Sequence, residues 1–95
     1  PYSGPGMKLY RGENLTRWKE NNIGFGWTPH IDIGRMFAGG LNAIYTGGVL
    51  LEAYAPSEAI IAGPNEHSKS LDENEYVVDL TGIGNISNIE SFPRS

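Results

Sequence analysis

Hydrophobic and polar positions divide this chain into short segments separated by glycine and proline. Residues 8–12 (Lys8-Leu9-Tyr10-Arg11-Gly12) predict a buried strand that turns at Gly12. Residues 13–20 predict a short helix, with Asn14 as N-cap and Leu15 and Trp18 three apart on one face. Trp18 belongs to the core. Asn21 to Gly24 end this helix, an Asn or Gly taking the left-handed conformation. In residues 23–29, Phe25 and Trp27 alternate with Gly24 and Gly26, as in a strand that another backbone or a ligand approaches closely. Thr28 as N-cap with Pro29 in the first helical position predicts a helix over residues 29–38. Ile31, Ile33, Met36 and Phe37 would form its buried side, and Arg35 would face out or reach a carboxylate.

Gly39-Gly40 stops that helix, and residues 41–46 are either a loop or a short strand. Residues 49–55 read as a strand, Pro56-Ser57-Glu58 breaks it, and residues 59–62 form another. Residues 63–70 are turn-rich and polar, a surface loop leading to Leu71-Asp72-Glu73-Asn74-Glu75. A strand follows over residues 76–80, a turn over 81–85 and a last strand over 86–89, with the tail from Glu90 frayed. Residues 1–6 read as a flexible leader or an expression scar, which leaves 7–95 as one domain. Two short helices early and strands late predict an α+β fold of small antiparallel or mixed sheets, not a βαβ repeat.

Ninety-five residues with 13 Gly and 6 Pro suit one small domain of short elements. An aromatic share of 11% supports a folded core. The chain has no cysteine, so disulfides and thiolate zinc sites play no part. Net charge is -4 and the 7 Lys and Arg are scattered, so no basic stripe marks a nucleic-acid surface. No apolar run reaches transmembrane length and no secretory signal pattern is present; a cytoplasmic protein is expected. No Gly-x-Gly-x-x-Gly or Walker loop opens a helix, which excludes the familiar nucleotide motifs. His30 has no second His one turn on, and no metal site is expected.

The candidate chemistry lies in acids and one cation. Glu73 and Glu75 are two apart before a β-branched run, so in a strand they share a face and repel, and one needs a partner or a raised pKa. The alternative is a solvated polar start to the strand. Arg11, at the end of its strand, is suited to pairing with a carboxylate.

Three segments in order resemble the arginine–serine–glutamate class of mono-ADP-ribosyltransferases. Leu9-Tyr10-Arg11-Gly12 is similar to that family's Tyr-Arg-Gly strand. Gly24-Phe25-Gly26-Trp27-Thr28 stands where the family has Ser-Thr-Ser, with Gly26 and Trp27 replacing its first two residues. Glu73-Asn74-Glu75 is similar to its Glu-x-Glu motif. The resemblance covers about residues 8–80. It implies two packed sheets with NAD in the cleft between them. Arg11 would contact the NAD phosphate or nicotinamide ribose, and Tyr10, Gly12, Gly26, Trp27 and Thr28 would complete the cofactor-binding set, with Phe25 walling the nicotinamide pocket. Glu75 would be catalytic, and Glu73 would orient a protein arginine acceptor beside a recognition loop at residues 63–72. The small size suits a phage or mobile-element effector. Two alternatives stay open: an NAD glycohydrolase, and a non-catalytic inhibitor or adaptor in which Arg11 and Glu75 form a structural salt bridge across a closed cleft.

Overall fold

A computed structural model describes residues 2–64 and 75–94. The first strand, β1 (Met7–Asn14), does not turn at Gly12. It runs on through Glu13 and pairs antiparallel along its whole length with β3 (Gly48–Ala55), from Met7 against Ala55 to Asn14 against Gly48. Glu13 therefore belongs to the strand and not to the helix. Helix α1 (Leu15–Lys19) starts where expected, the Asn14 side-chain oxygen accepting the Thr16 N–H at 2.9 Å and the Arg17 N–H at 3.3 Å. Beyond it Asn21 takes the left-handed conformation, φ 57°.

Strand β2 (Gly26–Trp27) is followed by α2 (Ile31–Gly39), which begins two residues later than Thr28-Pro29 predicts. Thr28 stays extended because its backbone bridges Tyr10, with N···O distances of 2.7 and 2.8 Å. Its hydroxyl accepts the His30 N–H at 3.2 Å, and His30 is the N-cap residue, making no side-chain cap bond. The expected apolar face of α2 is not its buried face. Gly34 and Ala38 are buried, whereas Met36 and Phe37 are 62% and 44% exposed. The cause is close approach. A Cβ at Gly12 would run into the Ala38 nitrogen and Gly34 carbonyl oxygen, and one at Gly48 into the Ala38 carbonyl. Only small residues fit between α2 and the strands beneath it. Residues 41–46, left open between loop and strand, begin with a 3-10 turn at Leu41–Ala43.

Strands β4 (Ile60–Ala62), β5 (Tyr76–Val78) and β6 (Ser87–Phe92) complete two three-stranded antiparallel sheets, ordered β1-β3-β6 and β2-β5-β4. The molecule is thus α+β, with two small sheets and two short helices. Strand β6 continues to Phe92, so the chain does not fray at Glu90: Glu90 and Ser91 pair with Leu50 and Val49, and Arg35 on α2 meets Glu90 at 2.8 Å. Alternation along β3 sorts its two faces. Leu50 meets Gly34 of α2, while Val49, Leu51, Ala53 and Ala55 join Leu9, Ile23, Trp27, Ile60 and Val78 in the main core. The core therefore draws on both sheets, which the Tyr10–Thr28 bridge stitches together. Ahead of β1, Tyr2 stands edge-on to Tyr76, and the Ser57 hydroxyl donates to the Gly4 carbonyl at 2.6 Å.

Candidate functional site

Side chains two apart on a strand share a face, so Leu9, Arg11 and Glu13 point the same way from β1. Leu9 is in the core shared by the sheets. Arg11 and Glu13 extend that face into charged chemistry. On the far side of β2 lies β5, with Trp27 opposite Tyr76 and Glu75 just before the strand. Both charged heads reach Gly26. Arg11 Nη1 donates to the Gly26 carbonyl at 2.8 Å, and the Glu75 carboxyl lies so close that a Cβ on Gly26 would stand 2.5 Å from its Cδ.

These residues border a cleft of about 470 Å³, within the size that small-molecule sites occupy. Strand β1 contributes Tyr10, Arg11 and Gly12; β2 and its next residue contribute Gly26, Trp27 and Thr28; Glu75 and Asn42 complete the polar set. Helix α2 supplies Ile33, Gly34, Met36 and Phe37. Of the sequence-predicted site residues that the structure describes, Tyr10, Arg11, Gly12, Gly26, Trp27, Thr28 and Glu75 thus line one cleft and Phe25 does not. Glu73, and most of the loop at residues 63–72, lie outside the described residues. Phe25 is 62% exposed and is not part of this lining, and Trp27 is 2% exposed, a core residue that offers no stacking face. Its indole N–H donates to the Gly24 carbonyl at 3.1 Å. A second hollow, bounded by Tyr2 to Gly4, Ile61 to Pro64 and Tyr76, carries no charged side chain among the described residues.

Arg11 is tethered rather than loose. Its Nε donates to Glu13 Oε2 at 2.8 Å. Glu13 is 1% exposed and also accepts the backbone N–H of Gly24 and of Asn14, each at 3.0 Å. Burial pushes the Glu13 pKa up, but the bonds from Gly24, Arg11 and Asn14 and the Arg11 charge outweigh it, so the carboxyl titrates below its ordinary value. Sequence reading missed Glu13 by placing it in a helix. The available signal was the opposite charge two residues from Arg11, which on a strand means one face. It also missed Asn42, whose amide donates to the Gly12 carbonyl at 2.9 Å, and the contribution of α2 to the cleft.

The ion pairs among the described residues are Arg11–Glu13, Arg17–Glu13 and Arg35–Glu90, so Arg11 is not paired with Glu75. Glu75 is exposed. Among the described residues no three His, Asp or Glu side chains form a metal-holding group, and no helix is long and apolar enough to cross a membrane. Compared with protein-family models, with curated proteins and with solved structures, the chain matches none. Its functional reading therefore stands on the geometry and on the motifs of its own sequence.

Proposed function

We propose that this chain is an NAD-dependent mono-ADP-ribosyltransferase acting on a macromolecular acceptor, a protein arginine. The observation that carries this reading is the convergence of Arg11 and Glu75 on Gly26, at one cleft lined by described residues of the segments that resemble the family. NAD is the substrate. Arg11, held at Nε and Nη1, keeps further N–H donors for the NAD phosphate or nicotinamide ribose. As the bond between ribose C1′ and the nicotinamide nitrogen breaks, its electron pair leaves with nicotinamide and positive charge develops on the ribose. The Glu75 carboxylate stabilises that charge, as acids do in glycoside cleavage. An acceptor nitrogen then bonds to C1′ and gives up a proton, with Glu73 orienting the acceptor. Because Arg11 pairs with Glu13 and not with Glu75, the open cleft is favoured over the reading in which an Arg11–Glu75 bridge closes it. A cytoplasmic effector suits this chemistry.

Mass spectrometry of candidate protein targets incubated with NAD and the protein tests the reading. Wild type is expected to add one ADP-ribose to an acceptor, and Glu75→Gln is not. Absence of modification by wild type, together with no heat of NAD binding in calorimetry, would overturn it.

A further inference from the structure

Glu13 takes no direct part in the proposed chemistry, yet it is the only acidic residue among those described that is fully buried. A buried carboxylate survives only when charges and hydrogen bonds replace its water. Here Oε2 accepts Arg11 Nε at 2.8 Å and the Gly24 N–H at 3.0 Å, and Oε1 accepts the Asn14 N–H at 3.0 Å. Arg17 Nε adds a more distant charge at 3.5 Å. The Arg11 fork is thereby gripped from two sides, by its own strand at Nε and by the Gly26 carbonyl at Nη1. A planar guanidinium held at two edges has one orientation. The same carboxylate also fixes Gly24, two residues before Gly26, where the cleft begins on β2. A glutamine cannot substitute. Its single oxygen accepts on one side only, and its NH₂ would face N–H donors on the other.

We propose that Glu13 is the positioning residue of the cleft: it holds the Arg11 guanidinium in the orientation that receives NAD. Its ligand rests on the NAD reading above; its geometry does not. Glu13 touches no substrate, and its effect passes through Arg11.

Calorimetric NAD binding by wild type, Glu13→Gln, Arg11→Gln and the double variant, each confirmed as folded by its thermal melt, tests this. Glu13→Gln is expected to weaken NAD binding by about tenfold or more, the scale of a hydrogen bond to a charged group. The double variant is expected to bind no more weakly than Arg11→Gln alone. Independent, additive losses would reduce Glu13 to a structural residue and overturn the proposal. Should Glu13→Gln not fold, Glu13→Asp keeps the buried charge while shortening its reach; weakened binding supports the proposal and wild-type binding overturns it. Should wild type bind no NAD, the substrate reading falls, and the positioning role is decided by NMR of arginine-labelled protein. An Arg11 Nε–H protected from exchange in wild type and released in the Glu13 variant supports it. Equal exchange in both overturns it.

Discussion

The carboxylate of Glu75 occupies the space in which a side chain at residue 26 would have to sit: a Cβ on Gly26 would be 2.6 Å from Oε2 and 2.8 Å from Oε1. Gly24 has the same relation to Arg11, where a Cβ would be 2.5 Å from the guanidinium carbon. The two glycines that alternate with Phe25 and Trp27 therefore admit two charged heads against the backbone. The close approach that such glycines imply is made here by the protein's own side chains.

Gly26→Ala is expected to displace Glu75 without unfolding the protein. Glu75 is exposed and precedes its strand, so its carboxylate can swing away. Stability should change by no more than about 0.5 kcal/mol. Transfer from NAD should fall by about a hundredfold, as catalytic groups misplaced by an ångström do. Parallel thermal melts and transfer assays check both halves.

Replacing Glu75 by glutamine keeps the shape and removes the charge. The rate of nicotinamide release should drop by about 10²–10³-fold, the cost of losing one preorganised electrostatic group. NAD affinity should hold, because Arg11 and the α2 side chains are untouched. Glu73→Gln should spare NAD hydrolysis and reduce transfer. Equal loss of both activities in that variant would contradict separate roles for the two acids.

Gly12→Ala should be severe. The added methyl meets the Ala38 nitrogen and the Gly34 carbonyl, backbone atoms that cannot rotate aside. The packed cost of such an insertion is about 3 kcal/mol, which corresponds to a Tm lower by more than about 10 °C in a domain of this size. By contrast, Arg35→Met removes a half-exposed pair with Glu90 and should cost less than about 1 kcal/mol. Differential scanning calorimetry separates the two.

Acid should weaken the fold through Glu13. Its folded pKa lies below its ordinary value of 4.5. The carboxyl therefore contributes stability that is fully present above that value and lost as pH falls through the lower, folded value. Urea midpoints measured from about pH 7 to about pH 3 should decline at the acid end in wild type, and this component should be missing in Glu13→Gln.

Several of these features were legible in the residues themselves. The Asn14 cap, a left-handed Asn or Gly after α1 and the strand at β3 follow from local chemistry, and Arg35, left between facing out and reaching a carboxylate, is half-exposed and pairs with Glu90. Arg11, Gly26 and Glu75 were singled out through the family resemblance and not by local chemistry, and they line one cleft. The misreadings share a tertiary cause. Gly12 reads locally as a turn, but it is a flat place in β1 against which Gly34 and Ala38 of α2 lie. Thr28 reads as a cap, but pairing with Tyr10 holds it extended and delays the helix. Met36 and Phe37 read as core because apolar spacing does not say whether a helix rests on its large residues or its small ones. Glu13 was hidden for a related reason, since its role appears only once the strand continues past Gly12.

The pairing pattern also dictates when the cleft comes into being during synthesis. Arg11 is held by a strand that pairs across the chain with Leu51, and Gly26 by one that pairs with Val77, so neither wall can be built from the first half of the chain. Contacts this far apart in sequence close late and slowly compared with local ones. A nascent chain that has displayed Arg11 but not yet Glu75 therefore lacks one wall of the cleft.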